Sequence, residues 1–191
     1  MFIRGFCCIV PVKAVKFLPT SLSGVWLIEL ELRADERGFL ARTCCEHEFT
    51  AQGLNIHWPQ CNLTLTKRRG TIRGLHYQAE PKSETKLIRC AAGAIWDVIV
   101  DVRPGSPTFR KWEAFELTAE NHRQLYVPGG LAHGFQCLAD NCEVFYQMSE
   151  FYVPDLTRGV RWNDPALNLP WPLPEPELSE RDRNLPFMSL P

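Results

Sequence analysis

Nine residues, Gly70-Thr71-Ile72-Arg73-Gly74-Leu75-His76-Tyr77-Gln78, set an imidazole, a guanidinium and a phenol among apolar neighbours. Histidine ordinarily titrates near neutrality, so it can both take a proton and return one. The run has the composition of a β-strand, and side chains alternate across a strand. Arg73, Leu75 and Tyr77 are therefore expected on one face, with Ile72, Gly74, His76 and Gln78 on the other. If that second face lines a barrel, His76 points into an apolar cavity and Gly74 adds little bulk to obstruct it. A core histidine that merely hydrogen-bonds a neighbour explains these nine residues equally well, and the rest of the chain must decide.

The elements that would position this run read mostly as strands. Residues 25–32 alternate β-formers with Glu29 and Glu31, which suggests an early strand with one wet face. A turn at 34–38 follows, and residues 45–53 suit a short helix ended by Gly53. Turn-forming clusters at 67–70, 92–93, 104–107, 128–130 and 139–141 then separate runs rich in Ile, Val, Phe, Tyr and Trp. Strands at such spacing point to an antiparallel sandwich or barrel. In residues 94–102, Trp96, Val98, Val100 and Val102 share one side, and Ile95, Asp97, Ile99 and Asp101 the other. Residues 142–152 form another long strand, with Tyr146 on the face of Val144 and Met148. Beyond Val153, Pro154, Pro165, Pro170, Pro172, Pro174 and Pro176 prevent extended pairing. Residues 154–191 are thus an irregular tail laid across the barrel, because Trp162, Leu169 and Trp171 need burial.

A chain of 191 residues, 45% hydrophobic and 23% charged, fits one soluble domain spanning 1–191. Its net charge of -1 argues against general affinity for nucleic acid or an anionic membrane, so any anion site must be local. No stretch is long enough to cross a bilayer. Residues 1–12 are apolar apart from Arg4, but the run is short and no small-residue cleavage site closes it. They read as an extension or an upstream start more readily than as a signal peptide. The eight cysteines are scattered, contain no Cys-x-x-Cys, and include two vicinal pairs that could bridge only with strain. Mostly reduced thiols in a cytoplasmic protein are expected.

Gly70, His76 and the later Pro128-Gly129-Gly130-Leu131-Ala132-His133 resemble half of the metal-binding pattern of the double-stranded β-helix barrels called cupins. Gln78 stands where a second metal histidine would be, and an amide replaces imidazole poorly on a transition metal. His76 and His133 alone leave such a site short of ligands, so no metal is expected, with Glu84 as the residue that keeps the metal reading open.

A closer resemblance spans about residues 17–186. Asp35-Glu36-Arg37-Gly38, Gln60-Cys61-Asn62, Arg73-Gly74-Leu75-His76-Tyr77-Gln78, Lys86-Leu87-Ile88-Arg89 and Asp97-Val98-Ile99-Val100-Asp101 come in that order. Gly105-Ser106-Pro107-Thr108-Phe109, Ala132-His133-Gly134-Phe135, Trp162-Asn163-Asp164-Pro165 and Leu178-Ser179-Glu180-Arg181-Asp182 follow. Together they resemble the successive signatures of the dTDP-4-dehydrorhamnose 3,5-epimerase family.

The resemblance implies an all-β cupin jelly roll with short peripheral helices, active without metal or cofactor, as a homodimer whose N-terminal strands pair across subunits. The implied reaction inverts carbons 3 and 5 of a nucleotide-linked 4-keto-6-deoxy hexose, turning dTDP-4-dehydro-6-deoxyglucose into the rhamnose precursor. By the same resemblance His76 is the base, Asp182 its orienting carboxylate, Lys86 the cation at the enolate oxygen and Tyr146 the acid. Arg73 and His133 match diphosphate or sugar contacts, and Arg37, Gln60, Asn62 and Arg181 match positions that hold the nucleotide. On composition alone Asp182 would be a solvated tail charge, Tyr146 a core aromatic and Lys67-Arg68-Arg69 a solvated turn. The chain departs from the family at Arg42, where a glutamate is usual, and at Leu63-Thr64-Leu65-Thr66, where a serine-bearing stretch is usual. A sister enzyme that inverts one carbon or isomerises the ketone, a metal-dependent cupin and a non-catalytic sugar-binding module are the alternatives.

Overall fold

The computed structural model describes residues 15–188, so the N-terminal extension at 1–12 lies outside the described residues. In chain order the strands are β1 (Lys16–Pro19), β2 (Trp26–Glu29), β3 (Arg33–Asp35) and β4 (Gly38–Leu40), then helix α1 (Glu46–Ala51). Next come β5 (Gln60–Thr66), β6 (Ile72–Gln78), β7 (Lys86–Ala92), β8 (Ala94–Asp101) and β9 (Trp112–Thr118). They are followed by β10 (Gln124–Val127), β11 (Leu131–Cys137), β12 (Cys142–Met148), β13 (Thr157–Gly159) and helix α2 (Glu180–Arg183).

Two antiparallel sheets face each other, ordered β1-β2-β10-β7-β12-β5 and β13-β6-β11-β8-β9. Within them β5-β12-β7-β10 and β6-β11-β8-β9 make the two four-stranded layers of a cupin jelly roll. Every second residue of these strands points inward, and Ile88, Ile95, Ile99, Leu117, Leu125 and Val144 pack there with little or no exposure. β8 is buried on both faces. Ile95 and Ile99 enter the barrel, while Val98 and Val100 lie under the C-terminal tail with Leu167, Leu169 and Trp171. The tail is fixed by polar bonds as well. Trp112 Nε1 donates to the Leu167 carbonyl at 2.9 Å, Trp171 Nε1 to the Trp162 carbonyl at 2.7 Å, and the rings of Trp96 and Trp171 meet edge to face. On the other sheet α1 seats the fully buried Phe49 against Ile28, Leu87 and Tyr126.

Observed elements are shorter than the periodicity suggested at their ends. β2 stops at Glu29 and β12 at Met148, where the neighbouring strands end their registers. The expected alternation along β6 is overturned in one place. Pairing with β11 runs from His76↔His133 to Arg73↔Phe135, three steps on β6 against two on β11. The extra residue is a β-bulge, and it reverses which face each later side chain takes. Arg73 therefore faces the cavity together with His76, while Ile72 and Leu75 turn outward beneath the tail. Gly74 sits against β11 rather than at the cavity: a Cβ there would come within 2.7 Å of the His133 carbonyl oxygen, and its φ is +114°. Only glycine fits both constraints.

Candidate functional site

The open end of the barrel holds a cavity of about 470 Å³ into which both sheets send polar side chains. His76 (β6) and His133 (β11) come from the five-stranded sheet; Lys86 (β7) and Tyr146 (β12) come from the six-stranded sheet facing it. His76 and Tyr146 thus stand on opposed walls.

His76 Nε2 lies 2.7 Å from Asp182 Oδ1, across 106 residues of sequence. The carboxylate reaches this point because the tail returns along β6. Ile72 N donates to the Glu177 carbonyl, and Ser179 caps α2 by accepting from the Asp182 amide at 3.1 Å. Asp182 Oδ2 accepts from Gly74 N at 3.3 Å, so the bulge also orients the acid. Burial pushes the Asp182 carboxyl up, but His76, the Gly74 N–H and Ser179 outweigh it and hold the group below its ordinary value. When His76 Nε2–H donates to the Asp182 carboxylate, Nδ1 is the ring nitrogen that can accept a proton.

A second histidine–carboxylate pair stands beside the first, since His133 is the cross-strand partner of His76. His133 Nε2 is 2.8 Å from Asp97 Oδ2, and Asp97 has no exposure. Burial raises the Asp97 carboxyl, with His133 acting in the opposite direction. Opposite them, the Lys86 ammonium is paired with Glu84, and both are buried. Burial raises the Tyr146 phenol; Asn62, its cross-strand partner on β5, lowers it, the Glu84 charge raises it and Arg73 lowers it.

Around the mouth, Arg73 Nε donates to Thr66 Oγ1 at 2.8 Å, which stretches the guanidinium along the wall. Gln60 and Asn62 direct their amides at Met148 Sδ, and Gln60 Oε1 accepts from Tyr152 N at 3.1 Å. Arg181 closes the rim beside Tyr152. Of the ten residues expected at a site, nine line this cavity: His76, Tyr146, Asp182, Lys86, Gln60, Asn62, Arg73, His133 and Arg181. Arg37 does not. It lies on the exposed β3–β4 hairpin, 2.6 Å from Asp35. Of the two departures, Arg42 pairs with Glu48 on α1, whereas Thr64 keeps a hydroxyl on the cavity wall. Lys67-Arg68-Arg69 is a turn stitched by Arg69 to Asp140 and to the Leu138 carbonyl.

Three functional candidates had weak signals in the sequence. Asp97 was foreseeable as an inward acid amid Ile95 and Ile99, but its partner was not. Tyr152 falls in the run read as one strand over 142–152, in step with Tyr146, but β12 ends at Met148 and nothing local marks it as a site residue. Glu84 drew attention only as a metal ligand. The cupin metal donors are otherwise committed: Gln78 Nε2 donates to the Lys82 and Phe151 carbonyls, Gln78 Oε1 accepts from Val153 N, and Glu84 holds Lys86. Among the described residues no group of three or more His, Cys, Asp or Glu side chains is arranged to hold a metal ion.

A family model described as dTDP-4-dehydrorhamnose 3,5-epimerase matches residues 19–189. The chain belongs to that family. A dTDP-4-dehydrorhamnose 3,5-epimerase of Shigella flexneri is 41% identical over 168 residues, covering 87% of this chain and 92% of the relative. The crystal structure of the Bacillus anthracis epimerase with TDP and PPi bound superposes with a TM-score of 0.89 at 44% identity, covering 91% of this chain and 99% of that one. ChmJ, a 3'-monoepimerase from Streptomyces bikiniensis in complex with dTDP-quinovose, superposes with a TM-score of 0.84 at 37% identity, over 89% of this chain and 86% of its own. Members of the dTDP-4-dehydrorhamnose 3,5-epimerase family thus share this barrel along nearly its whole length.

Proposed function

We propose that the chain is an epimerase that inverts carbons 3 and 5 of dTDP-4-dehydro-6-deoxyglucose, forming dTDP-4-dehydrorhamnose. The observation that carries the reading is the presence of an imidazole and a phenol on opposed walls of one cavity, with the Lys86 ammonium on the strand next to that of the phenol. A proton next to a ketone is roughly a dozen pKa units less acidic than imidazolium, a gap on the order of 16 kcal/mol. A base alone does not bridge it; the enolate oxygen needs a positive partner. His76 Nδ1 takes the proton, and Asp182 stabilises the imidazolium that forms. Lys86 supports the developing oxyanion. Tyr146 then protonates the carbanion from the opposite side, so configuration inverts. Arg73 and His133 hold the diphosphate or sugar, and Gln60, Asn62 and Arg181 hold the nucleotide. Arginine suits phosphate because its planar fork donates two hydrogen bonds at once.

The test is incubation with dTDP-4-dehydro-6-deoxyglucose in heavy water, read by proton NMR. The wild-type protein should place deuterium at both carbons flanking the ketone, and His76→Ala should abolish uptake. A 3-monoepimerase is the second reading, favoured by the similarity to ChmJ; deuterium confined to one carbon would select it.

A homodimer and a cytoplasmic location belong to the same proposal. The outer face of β5 carries Leu63 and Leu65, exposed by 60% and 50%, and the β3–β4 hairpin carries Phe39 and Leu40, exposed by 51% and 70%. A second copy covering these surfaces would remove this apolar area from water. Light scattering should give twice the chain mass, and Leu63→Glu with Leu65→Glu should give the monomer. No helix among the described residues is long and apolar enough to cross a membrane.

A further inference from the structure

One buried carboxylate at the cavity has no part in the chemistry above. Glu84 lies in the loop before β7, and that loop is held on every side. Gln78 Nε2 donates to the Lys82 carbonyl at 2.6 Å; Ser83 packs so closely on Gly129 that a Cβ there would meet Ser83 Oγ at 2.4 Å. Thr85 exchanges hydrogen bonds with Ser149 in both directions, Thr85 N to Ser149 Oγ at 2.8 Å and Ser149 N to the Thr85 carbonyl at 3.0 Å. From this fixed backbone Glu84 Oε1 accepts from the Lys86 ammonium, while Oε2 is buried without a partner among the described residues. A buried carboxylate oxygen left unpaired is costly, and an amide would fill the same space without the charge. The negative charge itself therefore calls for an explanation.

We infer that Glu84 is a positioning residue for the epimerisation: its carboxylate pins the Lys86 ammonium against the six-stranded wall and sets one negative charge on the side of the cavity occupied by Tyr146. This rests on the epimerase reading. A lysine has a flexible four-carbon stem and three N–H donors. Glu84 takes one donor and fixes the stem, which leaves two directed donors for the enolate oxygen. Lys86 and Tyr146 lie on adjacent strands, where Met148 pairs with Lys86 and Tyr146 with Ile88, so the same charge bears on the phenol. The other charged or titratable groups lining the cavity with Tyr146 are Arg73, His76 and Tyr77 on β6, His133 on β11, Tyr152 after β12, and Arg181 and Asp182 on α2. Glu84 acts with burial to keep the phenol protonated, against Asn62 and Arg73. An acid that must deliver its proton to a carbanion benefits from that bias.

The experiment is Glu84→Gln, with Glu84→Asp as the conservative variant, on the full chain. In deuterium exchange with dTDP-4-dehydro-6-deoxyglucose, kcat of Glu84→Gln should fall at least tenfold while KM changes less than threefold, and Glu84→Asp should recover part of the loss. In substrate-free protein labelled with [13Cζ]tyrosine, the Tyr146 signal, assigned with Tyr146→Phe, should titrate at lower pH in Glu84→Gln than in the wild type. Folded Glu84→Gln with kcat within threefold of wild type and an unmoved Tyr146 titration would overturn the inference. The titration needs no turnover, so a wild-type protein that exchanges nothing would sink the epimerase reading on separate grounds.

Discussion

His76 owes its orientation to a single carboxylate that arrives from the far end of the chain. Asp182 is bonded to the imidazole on one oxygen and to the bulge amide on the other, so it fixes both tautomer and ring plane. Asp182→Asn keeps the shape but presents an amide to Nε2, and it removes the charge that stabilises the imidazolium. Exchange should fall by roughly 10²–10⁴-fold, the usual range for a general acid–base contribution, with little change in KM. Steady-state kinetics of the purified variant check this. On the proposed mechanism Tyr146→Phe should lower net epimerisation more than it lowers deuterium uptake, because it would delete the proposed proton donor and leave the proposed base in place. Thiols give a residue-scale contrast: the six described cysteines are free, and burial pushes Cys90 and Cys137 up to about 12. Among the six described cysteines Cys61, on the outer face of β5 with Leu63 and Leu65, should react first with a thiol reagent in the Leu63→Glu, Leu65→Glu monomer and be shielded in the proposed dimer, which mass spectrometry would read.

Two elements carry more of the site than their length suggests. The β6 bulge puts Arg73 and His76 on one face and holds the Gly74 amide toward Asp182. Gly74→Ala would drive a methyl to 2.7 Å from both the His133 carbonyl oxygen and the Gly134 Cα of β11, at a φ that L-residues avoid. It should cost about 3 kcal/mol or more in a urea unfolding series, and activity should fall with it. The turn after β8 is the second element. Asp101 accepts from Arg103, Ser106 and Thr108, which offset its burial and hold it down at about 2. A carboxyl lowered on folding stabilises the native state above its unfolded value near 3.9, and that contribution is lost as pH falls toward the folded value. The shift corresponds to about 2–3 kcal/mol. Wild type should therefore lose this increment in urea midpoint between about pH 4 and pH 2, and Asp101→Asn should lose it already at pH 7 and show a flatter profile.

At the scale of the whole molecule, the tail unites the outer face of the barrel with the site. Trp171 packs on Trp96 under the same segment that delivers Asp182 to His76. Trp171 is partly buried, so Trp171→Ala should destabilise by about 2–3 kcal/mol, at or below the low end of the range for a fully buried aromatic. The loss should appear in Tm and, because the tail carries Asp182, in exchange rate at temperatures well below Tm.

Fold class, strand alternation and the residue types of the site were legible in the sequence because each is a local property. A period of two shows within a few residues, as in Ile95, Asp97 and Ile99, and Gly53 announces the end of α1 at close range. Motif order supplied the family and, through it, nine of the cavity's side chains. What the chain could not reveal locally was which groups meet. The closure of Asp182 on His76, the pairing of Asp97 with His133, the capture of Lys86 by Glu84 and the exclusion of Arg37 from its own cavity depend on how distant segments cross. The reversal of faces at Gly74 depends on β11, which lies some sixty residues away along the chain. Sequence periodicity reports the pleat of one strand; the bulge, the ion pairs and the cavity arise only when two sheets and a tail compete for the same space.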